Sequence, residues 1–371
     1  MSESGRNRWA RALFGCVGAD VPAEVVLLVR LLAIAWLLTG HALFLPTRSV
    51  PFFEVLGPIA NSPVVAWAEF VVGVVCAVQL LLGRAVRVSA LTLGCLIFVT
   101  TLLSRAYFSN NRLYTACLLV LAGLEASKGS KLLLRAQVIV LYLAAGLDKL
   151  FDADWRSGAF LRSFASNLAS YGRLWSPGHD ATTAYLPAQL FGSLLDTTPG
   201  LAVVASWGTL LLEIGIGLAL LARRRRIGIA LGLAFHAVLL VYTGSPMGMF
   251  FYAATASYFA FVDLPSRIDV RVGPRMYAPL LRVLAAVDAD GLCHVQPGPR
   301  LSVIIADETR YGASALFALA VRLPAFYVAA AAILAGPWFT PWSALVLIPL
   351  ALGFCPFGPL APRTEIREVT G

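Results

Sequence analysis

Long apolar stretches recur along the chain, and the polar residues gather between them. A helix needs about 20 mostly apolar residues to cross a bilayer's hydrocarbon core. By that rule the pattern predicts spans near 22–45, 63–82, 86–104, 112–125, 132–148, 199–222, 227–244 and 247–263, then a closing hairpin near 314–335 and 338–355. The fourth and fifth are short and carry polar residues, as in helices that pack inside a bundle. The expected fold is an all-α polytopic membrane protein of about 8–10 transmembrane helices, with a small external cap and a short cytoplasmic segment.

Two segments break the pattern. Residues 149–198 hold Trp155, Trp175, Asp152, Asp154 and His179 among apolar positions, which predicts a folded external cap. In 266–313, Met276, Leu280, Leu281, Leu284 and Val287 share one helical face between arginines, which predicts an interfacial amphipathic helix. The alternating run Leu301–Ile305 predicts a strand. The chain thus divides into a tail (1–21), a core (22–265) containing the excursion 149–198, the segment 266–313, the hairpin 314–355 and a second tail (356–371).

Composition agrees. Of 371 residues 59% are hydrophobic and 13% charged, with a mean hydropathy of +0.79, which excludes an ordinary soluble domain. The net charge of +9 comes from basic residues scattered between apolar runs, so nucleic-acid binding is not expected. Six separated cysteines with no Cys-x-x-Cys give neither a disulfide framework nor a zinc site, and four isolated histidines give no metal pair. No phosphate-cradling loop is present, so neither metal nor nucleotide is expected. Basic residues mark the cytoplasmic side. With the tail inside, the inner segments as far as Arg223–Arg226 carry twelve and the outer ones seven. Both termini are therefore expected in the cytoplasm of a cell whose plasma or inner membrane the chain crosses, with the first span a retained signal anchor.

Ionisable groups inside spans are costly, so each needs a partner or a task. Glu213 and His236 lie at equal depth on consecutive antiparallel helices, which predicts a contact between them, either a structural tie or part of a ligand or proton site. Arg30 and Glu69 could neutralise each other on the first two spans. Tyr142 and Lys149 share a face of the fifth helix, and Asp148 and Asp152 share another. Lys149 reads either as a snorkelling anchor or as a base in a dry pocket.

The run Gly146-Leu147-Asp148-Lys149-Leu150 ahead of Asp152-Ala153-Asp154-Trp155-Arg156-Ser157-Gly158 resembles the membrane core of vitamin K-dependent gamma-glutamyl carboxylase and its bacterial relatives, the horizontally transferred transmembrane (HTTM) domain family. The likeness continues through Leu211-Leu212-Glu213, Phe235-His236 and Gly248-Met249-Phe250, over about residues 105–265. It implies that Lys149 is the catalytic base and that the substrate is a quinol, another lipid or an exported peptide. Asn111, Arg112, Tyr142, Glu213 and His236 would line its site, Arg112 holding an anionic or carbonyl oxygen. Asn110-Asn111-Arg112-Leu113-Tyr114 resembles a carboxylase stretch whose active-site histidine is here Arg112, and arginine does not shuttle protons. The family also includes membrane proteins that mature secreted sporulation-delaying toxins, which implies the alternative of a non-catalytic partner of a secreted peptide. Leu301 to Pro324 resembles the end of a thiol-disulfide oxidoreductase domain without its cysteine pair. Gly353-Phe354-Cys355-Pro356 is similar to a motif of short two-helix inner-membrane proteins.

Overall fold

The computed structural model describes residues 15, 21–38, 50–105, 108, 110–125, 131–164, 186–243, 248–264, 267–305 and 308–335. The expectations for both tails, for Trp175 and His179, and for the helix at 338–355 lie outside them. Its helices are α1 (Ala23–Leu38), α2 (Gly57–Ala60), α3 (Pro63–Leu81), α4 (Val86–Leu103), α5 (Asn110–Glu125), α6 (Leu132–Phe151), α7 (Ala153–Arg156), α8 (Leu186–Thr197), α9 (Pro199–Leu221), α10 (Arg225–Thr243), α11 (Gly248–Ser257), α12 (Pro274–Val287), α13 (Gly312–Ala320) and α14 (Pro324–Ala335).

α1 is apolar on every side, and from Val25 to Trp36 every residue is buried, so it forms the axis of the helical body. Around it pack α3, α11 and α14. α3 is the opposite case, with Val64, Trp67, Val71 and Val75 exposed as on a helix that faces hydrocarbon. α6 begins where the Glu125 carboxylate accepts the Leu133 and Leu134 N–H groups at 2.7 and 3.2 Å, filling positions that a helix start leaves unpaired.

Among the described residues α3, α4 and α9 are long and apolar enough to cross a membrane, and a bent pair at 312–334 could make a fourth. That is fewer than the expected eight to ten. The expected span at 314–335 is broken: α13 and α14 meet at 76°. The expected Arg30–Glu69 pair is also absent. An Arg30 nitrogen donates to the Gly15 carbonyl at 2.9 Å, and one buried oxygen of Glu69 has no hydrogen-bond partner among the described residues.

An all-helical fold is corrected as well. Strands β1 (Ile268–Val272), β2 (Cys293–Pro297), β3 (Ser302–Ile305) and β4 (Glu308–Tyr311) form a sheet in the order β2-β1-β3-β4. β1 and β2 run parallel across α12, and β3 and β4 add antiparallel. Alternation sends Ile268, Val270, Val272 and Val303 to one face, where Leu280 and Leu284 of α12 and Ala315 and Leu319 of α13 cover them. Leu280 and Leu284 of α12 are spent on the sheet while Met276 of the same face stays exposed, so the expected interfacial helix also covers a small α/β unit. The Asp288 carboxylate accepts the Leu292 and Cys293 N–H groups at 2.8 and 2.9 Å and fixes the return into β2. Burial, then that carboxylate, pushes the Cys293 thiol far up, so it is a packed side chain with little thiolate character.

Candidate functional site

Glycines set the spacing of α6 and α9. A Cβ on Gly146 would lie 2.5 Å from Ile214 Cγ1, and one on Gly217 would lie 2.7 Å from Leu143 Cδ2. Small residues at these points let the two backbones approach closely. The resulting antiparallel register carries Lys149, in the last turn of α6, to the level of Glu213 in α9. Lys149 Nζ donates to Glu213 Oε2 at 2.7 Å, with the side chains only 15% and 10% exposed. Its other contacts are a long bond to the Ala145 carbonyl at 3.4 Å and the Trp155 ring, whose centroid lies 5.0 Å away.

The residues after Lys149 build the wall that holds this ring. Asp152 ends α6 and caps α7, its side chain accepting the Asp154 N–H at 2.8 Å. Trp155 stacks on Phe160 at 4.5 Å. Gly158 takes φ +75°, and a Cβ there would stand 2.7 Å from the Ala202 carbonyl carbon, so the turn presses onto the start of α9. Asp-Ala-Asp-Trp-x-x-Gly is thus a cap, a ring and a left-handed turn. Asp148 and Asp152 are exposed, and neither takes the lysine.

A second polar group lies two turns back along α6. Tyr142 Oη is 2.7 Å from His236 Nε2 of α10 and also hydrogen-bonds the Tyr258 hydroxyl. All three side chains are buried. The rings of Phe250 and Phe251 close on the imidazole at 5.9 Å each, and its Nδ1 has no partner among the described residues. Gly232, one turn before His236, leaves the space that the Tyr258 ring fills.

The expected Glu213–His236 contact is replaced by two separate pairs, Glu213 with Lys149 and His236 with Tyr142. Equal depth was the wrong criterion, because Glu213 faces the glycine seam with α6. Arg112 is buried and Asn111 half-buried in the first turn of α5, and the Asn111 carbonyl accepts the Thr115 hydroxyl at 3.0 Å. Tyr258 was missed, since a single tyrosine in an apolar run carries no signal by itself. Among the described residues no cluster of His, Cys, Asp or Glu could hold a metal ion.

No curated protein and no solved structure matches the chain. Residues 127–264 match the family profile described as the HTTM domain, a segment that contains Lys149, Glu213, Tyr142, His236 and Tyr258 but not Arg112. Over that segment the chain is similar to the HTTM domain, and three of the described helices are long and apolar enough to cross a membrane.

Proposed function

We propose that the protein is a multi-pass enzyme of the plasma or inner membrane, with both termini cytoplasmic. It acts at its outer face on a membrane-embedded quinone, lipid or exported peptide. The observation that carries the reading is the Lys149–Glu213 pair beneath Trp155, largely screened from water and incompletely bonded. An ammonium has no lone pair, so a base at this position must first pass on a proton, and Glu213 is 2.7 Å away to receive it. In a dry setting a neutral amine beside a carboxylic acid competes with the ion pair, since both charges lose hydration. The amine then takes the substrate's proton and leaves the substrate anion beside the new ammonium, while Glu213 holds the transferred proton as a carboxylic acid until it is released to solvent or returned to the product. The Tyr142–His236 pair would line the inner end of the pocket. Gamma-carboxylation is not part of the proposal, because Arg112 stands where the carboxylases have their histidine.

The test is complementation of a deletion strain with Lys149→Arg at matched protein level. Arginine keeps the charge and the stem but stays protonated. Failure to complement, repeated in Glu213→Gln, supports the base. Full complementation overturns it and favours a non-catalytic partner of a secreted peptide.

A further inference from the structure

At the end of α6 opposite Lys149, a cavity lies between α1, α10, α11 and α14. Its walls include Leu31, Ala35, Leu233, Ala256, Phe259 and Ala331. Four hydroxyls border it, and each is already used within the protein. Thr255 donates to the Phe251 carbonyl at 2.9 Å, Tyr327 to the Val321 carbonyl at 2.6 Å and Tyr252 to the Leu334 carbonyl, while Tyr258 bonds Tyr142. The wall therefore offers no free donor, and a polar ligand would leave its own groups unpaired. Hydrocarbon is the chemistry that fits.

Charged residues lie close to its lining in the sequence. Ile229 lines it four residues after Arg225, which opens α10 behind Arg223 and Arg224, and Val262 lines it beside Asp263. The acids there are occupied. Asp263 accepts from Lys131 at 2.7 Å, Glu24 accepts the Leu264 N–H at 2.7 Å, and Glu125 caps α6. Arg223 and Arg224 are exposed and have no carboxylate within salt-bridge distance among the described residues. An apolar cavity whose α10 wall starts just past a turn of exposed arginines fits a molecule with a hydrocarbon chain and an anionic head.

We infer that the cavity holds one acyl chain of an anionic glycerophospholipid, with its phosphate against Arg223 and Arg224. The site is independent of the proposed chemistry at Lys149. The experiment uses the full chain in phosphatidylcholine nanodiscs doped with a phosphatidylglycerol bearing a diazirine on one acyl chain, with adducts mapped by mass spectrometry after illumination. Adducts are expected on α11 and α14. Ala331→Leu, which fills the cavity, should lower them at least fivefold, and Ala256→Leu serves if the first variant does not fold. Unlabelled phosphatidylglycerol should compete at least fivefold better than phosphatidylcholine, and Arg223→Gln with Arg224→Gln should abolish that preference. Lys149→Arg should label like the wild type. Absence of adducts at the cavity, or adducts unchanged in a folded Ala331→Leu protein, would overturn the site. Equal competition by phosphatidylcholine, or competition by free oleate alone, would overturn the anionic phospholipid as occupant.

Discussion

Helix α6 begins and ends at a lysine, and the two are set up differently. Lys131, just before its first residue, donates to the Val262 carbonyl at 2.8 Å and to Asp263 at 2.7 Å, and lies 3.8 Å from Glu24, so it ties α1, α6 and the segment after α11 together. Lys149 meets one carboxylate, one distant carbonyl and a ring face. An ammonium has three protons to place. Lys131 finds full-strength acceptors among main-chain and side-chain oxygens, which describes a clasp. Lys149 keeps donor capacity in reserve beside a group that can exchange a proton with it. Two largely buried lysines at the ends of one helix thus differ in how completely they are bonded, and the proposed chemistry at Lys149 rests on that difference.

The comparison breaks first on stability. Lys131→Met leaves the Val262 carbonyl and the largely buried Glu24 without their cation and unties three segments, which should cost about 2 kcal/mol, while Asp263, whose side chain is 74% exposed, is left in solvent and adds little. Lys149→Met leaves Glu213 beside a methionine, and at pH 5 that carboxyl takes up a proton at little cost, so the loss measured there should be about 1 kcal/mol. Thermal unfolding in detergent checks both. Equal losses would put the two lysines in one structural class.

The next effect is at the seam that holds Lys149 in place. Gly146→Ala drives a Cβ into Ile214 at 2.5 Å and should cost about 1–3 kcal/mol through overpacking. It should also reduce activity by parting Lys149 from Glu213. Gly215→Ala, on the same pair of helices, meets no atom within 4 Å and should be close to neutral. If the two variants behave alike in stability and activity, close approach of α6 and α9 is not what positions the pair.

Much of this was legible in the sequence and some was not, for physical reasons. Apolar runs located the helices because burial and hydrocarbon select the same residues. Lys149 and Glu213 stood out because charge is rare in such runs. Their pairing was not legible, because rise along a helix gives depth and not azimuth, and the azimuth is set by Gly146 and Gly217 meeting a facing side chain. The sheet was hidden by α12, since an apolar stripe between arginines suits a lipid interface as well as a sheet face. The alternation in Ile268-Asp269-Val270-Arg271-Val272 was the available signal. The 76° break escaped notice because α13 and α14 are each apolar and read together as one span.

The smallest effect is acidic, and it sharpens the contrast at the clasp. The hydrogen bond from Lys131 is the main influence holding Asp263 below its ordinary value of 3.8, with burial opposing and the charges of Lys131, Arg135 and Arg225 helping. A folded value below the unfolded one means that the contribution is complete above the unfolded value and is lost as the pH falls through the folded one. The side chain of Asp263 is 74% exposed, so solvent and salt screen the attraction and the slope should be shallow. Between pH 5 and 3 the wild-type melting temperature should fall more steeply than that of Asp263→Asn, and added salt should narrow the gap. Parallel slopes for wild type and Asp263→Asn would show that Lys131 holds the clasp through Val262 and Glu24 without help from Asp263.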